Sequence, residues 1–309
     1  MTSPSRRALR AARRAGEVVL AMGTFDGVHR GHRAILQKAS ARARALGIPS
    51  LAMTFRRPPR ELFFPSAGPS LLTLSHEKRS LIQGLGVDGV EELSFGRRLA
   101  RLSAEDFFSL YVLERWGARE IVVGYNFRFG RDRAGDAKLL ATLGAPRGIP
   151  VHIVSPVTYG GSAVSSGIIR RLLAAGELAG ANALLGYDYL AAAPVARGDG
   201  LGVRLGFPTA NLDTPREKIL PPGVFAVRVR LPDGREKGGM ANVGTRPTLG
   251  DSGGRPRAEV HIFRFRENLV GKELTVSFVK KIREERRFAS LELLRRRLTL
   301  DARAARAAL

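Results

Sequence analysis

The 309-residue sequence contains no cysteine. That absence removes structural disulfides, thiolate nucleophiles and cysteine-ligated zinc or iron-sulfur centres together. No apolar run approaches the roughly 18 residues of a membrane span, and the opening stretch MTSPSRRALRAARRAGE lacks the apolar core of a secretory signal. The chain therefore reads as cytoplasmic, with no membrane partner. Its Arg-rich, acid-poor start has the composition of a presequence, but an amphipathic leading helix over Arg6 to Arg14 accounts for it equally and is the reading preferred. Acid is scarce throughout: 28 Asp and Glu face 51 Lys and Arg, leaving a net charge of +23. Such a field draws nucleic acid, anionic lipid and phosphorylated small molecules alike. Only 8 of the cations are lysine and 43 are arginine, scattered beside abundant alanine. That is a compositional bias rather than a patch, so no nucleic-acid partner is expected.

What is present is an ordinary globular mixture, 44% hydrophobic and 26% charged, long enough for two domains. From Glu17 to about Val157, short apolar runs (Val18 to Met22, Pro49 to Phe55, Glu120 to Gly124) alternate with stretches of helical period. This predicts an α/β, Rossmann-like domain with a parallel sheet. Ala174 to Leu185 is helical in composition and leads into Gly186, where the domain junction is expected, giving domains 1–185 and 186–309. Beyond it, Val224 to Leu231 and Ala258 to Phe265 alternate apolar and polar residues between turn signals such as Asp233-Gly234. That pattern predicts an antiparallel β-barrel or sandwich. Leu291 to Leu298 predicts a closing helix.

The strongest local signal is Gly23-Thr24-Phe25-Asp26-Gly27-Val28-His29-Arg30-Gly31-His32, between the strand Val18 to Met22 and the helical run Ala34 to Leu46. A loop leaving a strand and opening a helix offers backbone amides and a positive dipole end to a phosphate. With the helix beginning near Val28, His29 and His32 share one face, and Gly31 lets a phosphate approach the backbone. The spacing is neither a P-loop nor Gly-x-Gly-x-x-Gly.

These residues resemble the His-x-Gly-His nucleotidyltransferase superfamily, and the longer string resembles the FMN adenylyltransferase module of bifunctional riboflavin kinase/FAD synthetases. The resemblance implies that His29 and His32 stabilise charge on ATP phosphates while the flavin phosphate attacks the α-phosphorus, with Gly23, Phe25, Asp26 and Gly31 shaping the nucleotide loop. Gly124-Tyr125-Asn126-Phe127-Arg128-Phe129-Gly130, followed by Gly135-Asp136, resembles the flavin-side segment, where Asn126 would orient substrate and the aromatics would pack on a ring. Val164-Ser165-Ser166-Gly167-Ile168-Ile169-Arg170 resembles the closing Ser-Ser-Thr-x-x-x-Arg motif, which carries Ser165, Ser166 and Arg170 to the triphosphate. Gly167 stands in the Thr position. Arg56 and Pro58, in Thr54-Phe55-Arg56-Arg57-Pro58-Pro59, stand where the family has an acidic residue and a histidine.

Gly198-Asp199-Gly200-Leu201-Gly202-Val203-Arg204-Leu205-Gly206-Phe207-Pro208-Thr209-Ala210-Asn211 offers a second glycine-rich loop, followed by a hydroxyl and an amide on one side of an extended segment. Both groups can face a hydrated Mg²⁺. Gly-Phe-Pro-Thr-Ala-Asn resembles the riboflavin kinase signature, and Gly223 to Val227, Ala241 to Thr248 and Glu259-Val260-His261-Ile262 follow in the family's order. The resemblance implies a six-stranded barrel in which Gly198, Gly206 and Pro208 frame the ATP site. It further implies that Thr209 and Asn211 serve Mg²⁺-ATP and that Glu259 takes the proton of the ribityl hydroxyl. Arg283, in the closing segment Phe278 to Phe288, is a candidate ligand contact on a mobile lid. His261 shares the face of Glu259 and is left without a catalytic role.

The expected activity is bifunctional: riboflavin and ATP to FMN on the second domain, then FMN and ATP to FAD on the first, both with Mg²⁺. The alternatives are a riboflavin kinase with a weakened first domain, and a basic nucleic-acid-binding or regulatory protein on the same scaffold. Oligomeric state is not legible.

Overall fold

Val18–Met22 (β1) is buried at all five positions, because it runs through the middle of a sheet covered on both faces. The computed structural model describes residues 16–59, 69–244 and 256–309. The expected leading helix over Arg6 to Arg14 and the stretch Thr245 to Thr248 lie outside the described residues. Those described form two compact units, residues 16–59 with 73–165, and 69–72 with the remainder from 166 onward.

In the first unit β1 is followed by α1 (Arg30–Leu46), β2 (Ser50–Phe55), α2 (Ser75–Gln83), β3 (Gly89–Leu93), β4 (Ala118–Gly124), α3 (Ala137–Gly144) and β5 (Val151–Val154). The strands form one parallel sheet in the order β3-β2-β1-β4-β5. Strand alternation divides the core: Val18, Leu20 and Met22 enter one apolar cluster, Val19 and Ala21 another. Helix α1 buries Ile35, Leu36, Ala39 and Ala43 as a single stripe and stops at Gly47, whose φ of 68° is left-handed. The order matters for function. From β1 the chain moves outward to β2 and β3, then returns to lay β4 on the other side of β1. The crevice beyond the carboxyl ends of β1 and β4 is thus the topological switch point, where ligands bind in open α/β sheets.

The second unit opens with α4 (Ser166–Ala174) and α5 (Leu178–Leu185). Then come β6 (Leu190–Ala196), β7 (Ala210–Leu212), β8 (Gly223–Arg230), β9 (Glu236–Gly244), β10 (Arg257–Ile262), β11 (Glu273–Arg283) and α6 (Leu291–Ala307). The six strands close an antiparallel barrel in the order β6-β7-β10-β9-β8-β11. Helix α6 seats Ala302 and Ala305 against Met240 and Phe263.

Several boundaries differ from the sequence pattern. The helical run Ala174 to Leu185 begins on the last residue of α4 and resumes only at Leu178 as α5, because Gly176 takes φ 71° and the amide of Glu177 turns back to the Leu172 carbonyl. The alternation of Ala258 to Phe265 ends as a strand at Ile262, since Arg264 leaves extended geometry at φ 52°. The closing helix runs past Leu298 to Ala307. The compact units part between Ser165 and Ser166, ahead of Gly186, because α4 packs on α5 and α5 on β11. No helix among the described residues is long and apolar enough to cross a membrane.

Candidate functional sites

The glycine-histidine loop leaves the end of β1 at the switch point. Gly23 is required by crowding: a Cβ there would lie 2.8 Å from the Phe25 ring. Phe25, Gly27 and Val28 all hold positive φ, 47°, 81° and 36°, which folds the loop tightly under the helix end. Val28 is therefore not helical. His29 is the N-cap of α1, extended at φ −67° and ψ 173°, and its Nδ1 accepts the amide of His32 at 3.4 Å. With Nδ1 accepting, the proton of a neutral His29 ring sits on Nε2. The two imidazoles stack with centroids 3.6 Å apart at 18°, and Phe25 meets His32 edge-on at 5.4 Å. Gly31 serves that stack, since a Cβ would press to 3.3 Å on the His29 ring. The first turn of α1 holds no acidic side chain, which leaves its positive end unopposed by local carboxylates. Asp26 is buried and accepts the backbone and hydroxyl protons of Thr73.

Asn126 is exposed just beyond β4, on the other side of the switch point. Gly124 faces α1 closely, its missing Cβ being 3.2 Å from Ile35 and 3.4 Å from Asn126 Oδ1. The neighbouring aromatics depart from expectation. Phe129 is buried and Phe127 stacks on it at 5.6 Å within the apolar core, leaving only Tyr125 exposed. Asp136 caps α3 through the Leu139 amide. Arg56 is exposed, Pro58 is buried, and the buried Lys78 donates to the Phe55 carbonyl just ahead of them in the chain. Burial pushes the Lys78 ammonium below its ordinary value. Sequence reasoning passed over both Lys78 and Thr73. Ser165 is exposed at the end of the first unit; Ser166 and Arg170 belong to the second, where Arg170 Nε donates to the Ser70 carbonyl at 2.7 Å.

The barrel's site is built from β7, β10 and the glycine loop between β6 and β7. Thr209 and Asn211 are two residues apart in extended chain and share a face. Glu259 on β10 pairs with Asn211 on one side and Asn242 on the other. The glycines divide into two kinds. A Cβ at Gly198 would fall 2.2 Å from Asn211 Nδ2, and one at Gly202 would fall 2.4 Å from the Phe207 carbonyl and 3.1 Å from Thr209 Oγ1. Those two let the loop lie directly on the polar pair. Gly200 and Gly206 face open space and supply left-handed turns at φ 72° and 83°. Pro208 is exposed, and its carbonyl accepts from His261 Nδ1 at 2.8 Å.

Two cavities flank this construction. One of about 500 Å³ is lined by Gly198, Gly202, Thr209, Asn211, Glu259 and Arg266. The other, about 620 Å³, is walled by Phe207, Met240, His261, Phe288 and Leu294, and again by Thr209 and Glu259. A glycine-lined chamber and a more apolar one thus share a hydroxyl and a carboxylate. His261, set aside on sequence grounds, lines the apolar chamber; burial lowers its basicity, the Pro208 carbonyl opposing in part. Arg283 also lines that chamber, from the end of β11. Its Nε and Nη2 bond to the fully buried Asp301 at 2.7 to 3.1 Å, and Arg297 reaches the same carboxylate at 2.9 Å. These bonds hold the guanidinium against α6.

Residues 11–168 match the FAD synthetase family and residues 185–309 the riboflavin kinase family. A Pseudomonas fluorescens protein named bifunctional riboflavin kinase/FMN adenylyltransferase is 41% identical over 94% of this chain and 92% of its own. The Escherichia coli K12 protein of the same name is 39% identical over 93% and 91%. Among solved structures, a Streptococcus pneumoniae chain described as a macrolide-efflux protein superposes with a TM-score of 0.83 at 29% identity, covering 94% of both chains.

Proposed function

The chain belongs to the family of bifunctional riboflavin kinase/FMN adenylyltransferases, and on that premise we propose how its residues divide the work. It is an enzyme that phosphorylates riboflavin with ATP to FMN and adenylylates FMN with ATP to FAD, releasing pyrophosphate. Residues 186–309 are assigned the first reaction and residues 1–185 the second, in the cytoplasm, on small-molecule substrates alone.

The observation that carries the kinase reading is the meeting of the two barrel cavities at Thr209 and Glu259. ATP takes the glycine-lined chamber, its phosphates against the loop of Gly198 and Gly206, and the isoalloxazine takes the apolar one beside Phe207 and Arg283. The terminal ribityl hydroxyl then reaches the shared wall. Glu259 accepts its proton as the oxygen bonds to the γ-phosphorus and the bond to ADP breaks. With the Asn211 amide nitrogen nearest Gly198, Thr209 and Asn211 leave a hydroxyl and an amide oxygen for the glycine-lined chamber, a set that suits a hard cation. They would hold Mg²⁺ together with substrate phosphates, and the ion when bound supplies charge neutralisation.

In the first unit, FMN's phosphate attacks the α-phosphorus of ATP and the bond to pyrophosphate breaks. His29 and His32, at the positive end of α1, stabilise the charge that develops. Gly23, Phe25 and Gly31 shape the loop under them, and Asn126 orients the flavin from across the crevice. Incubating the purified protein with riboflavin, ATP and Mg²⁺ and resolving the flavins tests the whole reading. FMN followed by FAD is expected; recovery of riboflavin alone would overturn it.

A further inference from the structure

Thr73 lies 47 residues beyond Asp26 in the chain, yet it is bonded into the histidine loop. Its amide donates to Asp26 Oδ1 at 3.0 Å, its hydroxyl donates to the same oxygen at 3.1 Å, and that hydroxyl accepts the Gly27 amide at 3.0 Å. Asp26 and Thr73 are each only 4% exposed. Water therefore cannot stand in readily for a lost partner. The bonds grip a turn that has reason to relax. Phe25 and Val28, on either side of Asp26 and Gly27, are non-glycine residues at φ 47° and 36°, a region that side chains with a Cβ disfavour. Val28 leads directly into His29, the N-cap whose ring stacks on His32.

We infer that Thr73 is a positioning residue for nucleotidyl transfer, clamping the strained turn so that His29 and His32 meet the charge that develops on the phosphates. The inference rests on the reading of this loop as the adenylyl-transfer site. Donors aimed at a transition state act only when held to within a fraction of an ångström, whereas ground-state substrate affinity tolerates more slack. Losing the clamp should therefore lower kcat much more than it raises KM. The hydroxyl carries the effect, so serine should replace threonine and the isosteric valine should not.

The test uses the full chain and its two half-reactions, FMN with ATP and riboflavin with ATP, in Thr73→Val, Thr73→Ser and His32→Ala. Thr73→Val is expected to lower kcat for FAD formation by roughly 10- to 100-fold, with KM for ATP and FMN within about threefold of the parent. Riboflavin phosphorylation stays at the parent rate. Thr73→Ser returns FAD formation to within about threefold of the parent. A parent-like kcat in Thr73→Val, while His32→Ala has lost FAD formation, would overturn the inference. So would a serine variant as impaired as the valine one, or a valine variant that loses both activities along with its melting transition, since either outcome marks a plainly structural residue. If His32→Ala makes FAD at the parent rate, the reading of the loop itself fails, and the role of Thr73 falls with it.

Discussion

A carboxylate at a junction of two cavities serves as a general base only if it can take a proton. Glu259→Gln keeps the size and the cross-strand neighbours Asn211 and Asn242 but removes that capacity. The expected outcome is a drop in kcat for riboflavin phosphorylation of about 10² to 10⁴, with KM values little changed, measured as FMN formed from riboflavin. Asp301 makes a contrasting prediction. It is fully buried and binds both Arg283 and Arg297, so Asp301→Ala strands two partly buried guanidinium groups. A loss of about 3 to 5 kcal/mol of stability follows from removing one partner of such a network, read by chemical denaturation, together with a raised KM for riboflavin as Arg283 loosens. An unchanged denaturation midpoint would contradict this. These two residues also mark the limit of reading side chains from sequence. Glu259, Thr209, Asn211 and the histidine pair sit inside extended motifs that announce them. Asp301 and Thr73 sit in no motif, and their importance comes from partners 18 and 47 residues away that only the folded chain brings near.

Elements position those side chains, and two of them can be tested as elements. The glycine loop before β7 lies on Asn211 because Gly198 has no Cβ, and an added one would sit 2.2 Å from the amide nitrogen. Gly198→Ala should push the loop off the polar pair and raise the KM for ATP in riboflavin phosphorylation roughly tenfold or more. Gly206→Ala, with open space around it, acts only through its positive φ and should disturb ATP binding less. In the first unit, α1 is tied to the sheet by Glu120 on β4, which accepts two bonds from Arg42 while His152 on β5 reaches the same carboxylate at 2.8 Å. Bonding to Arg42 above all, against the opposing cost of burial, holds the Glu120 carboxyl down at about 2. A lowered folded-state value means stability present in full above the ordinary carboxylate value near 4.5 and lost as pH falls from there toward 2. Glu120→Gln should therefore flatten the acid limb of a stability-against-pH curve in that window. Strand cores were legible, β1 to the residue, because burial on both faces demands an unbroken apolar run. Element ends were not. The break at Gly176 and the non-helical Val28 depend on positive-φ turns that neighbours in space stabilise.

At the scale of the whole molecule, the sequence carried the change from strand-helix alternation to strand-strand alternation, and with it a parallel sheet followed by an antiparallel barrel. It did not carry the strand order β3-β2-β1-β4-β5, which sets the switch point and brings the loop after β1 and the segment after β4 to the same end of neighbouring parallel strands. Nor did it carry which strands close the barrel, β6 against β11, because pairing between strands far apart in sequence is a tertiary property. The two compact units each hold one candidate site: His29 and His32 lie in the first, Thr209 and Glu259 in the second. Separate sites predict separable activities. Glu259→Gln should still convert supplied FMN to FAD, and His32→Ala should still convert riboflavin to FMN. Neither alone yields FAD from riboflavin at the parent rate. Mixed in one tube, the variants should restore it, because FMN released by one chain is the substrate of the other. The recovered rate should show a lag that shortens as protein concentration rises, since FMN must first accumulate toward the KM of the adenylyl-transfer step. A mixture no better than its components would mean that the intermediate does not leave the chain that made it, and that the two sites act only as a pair.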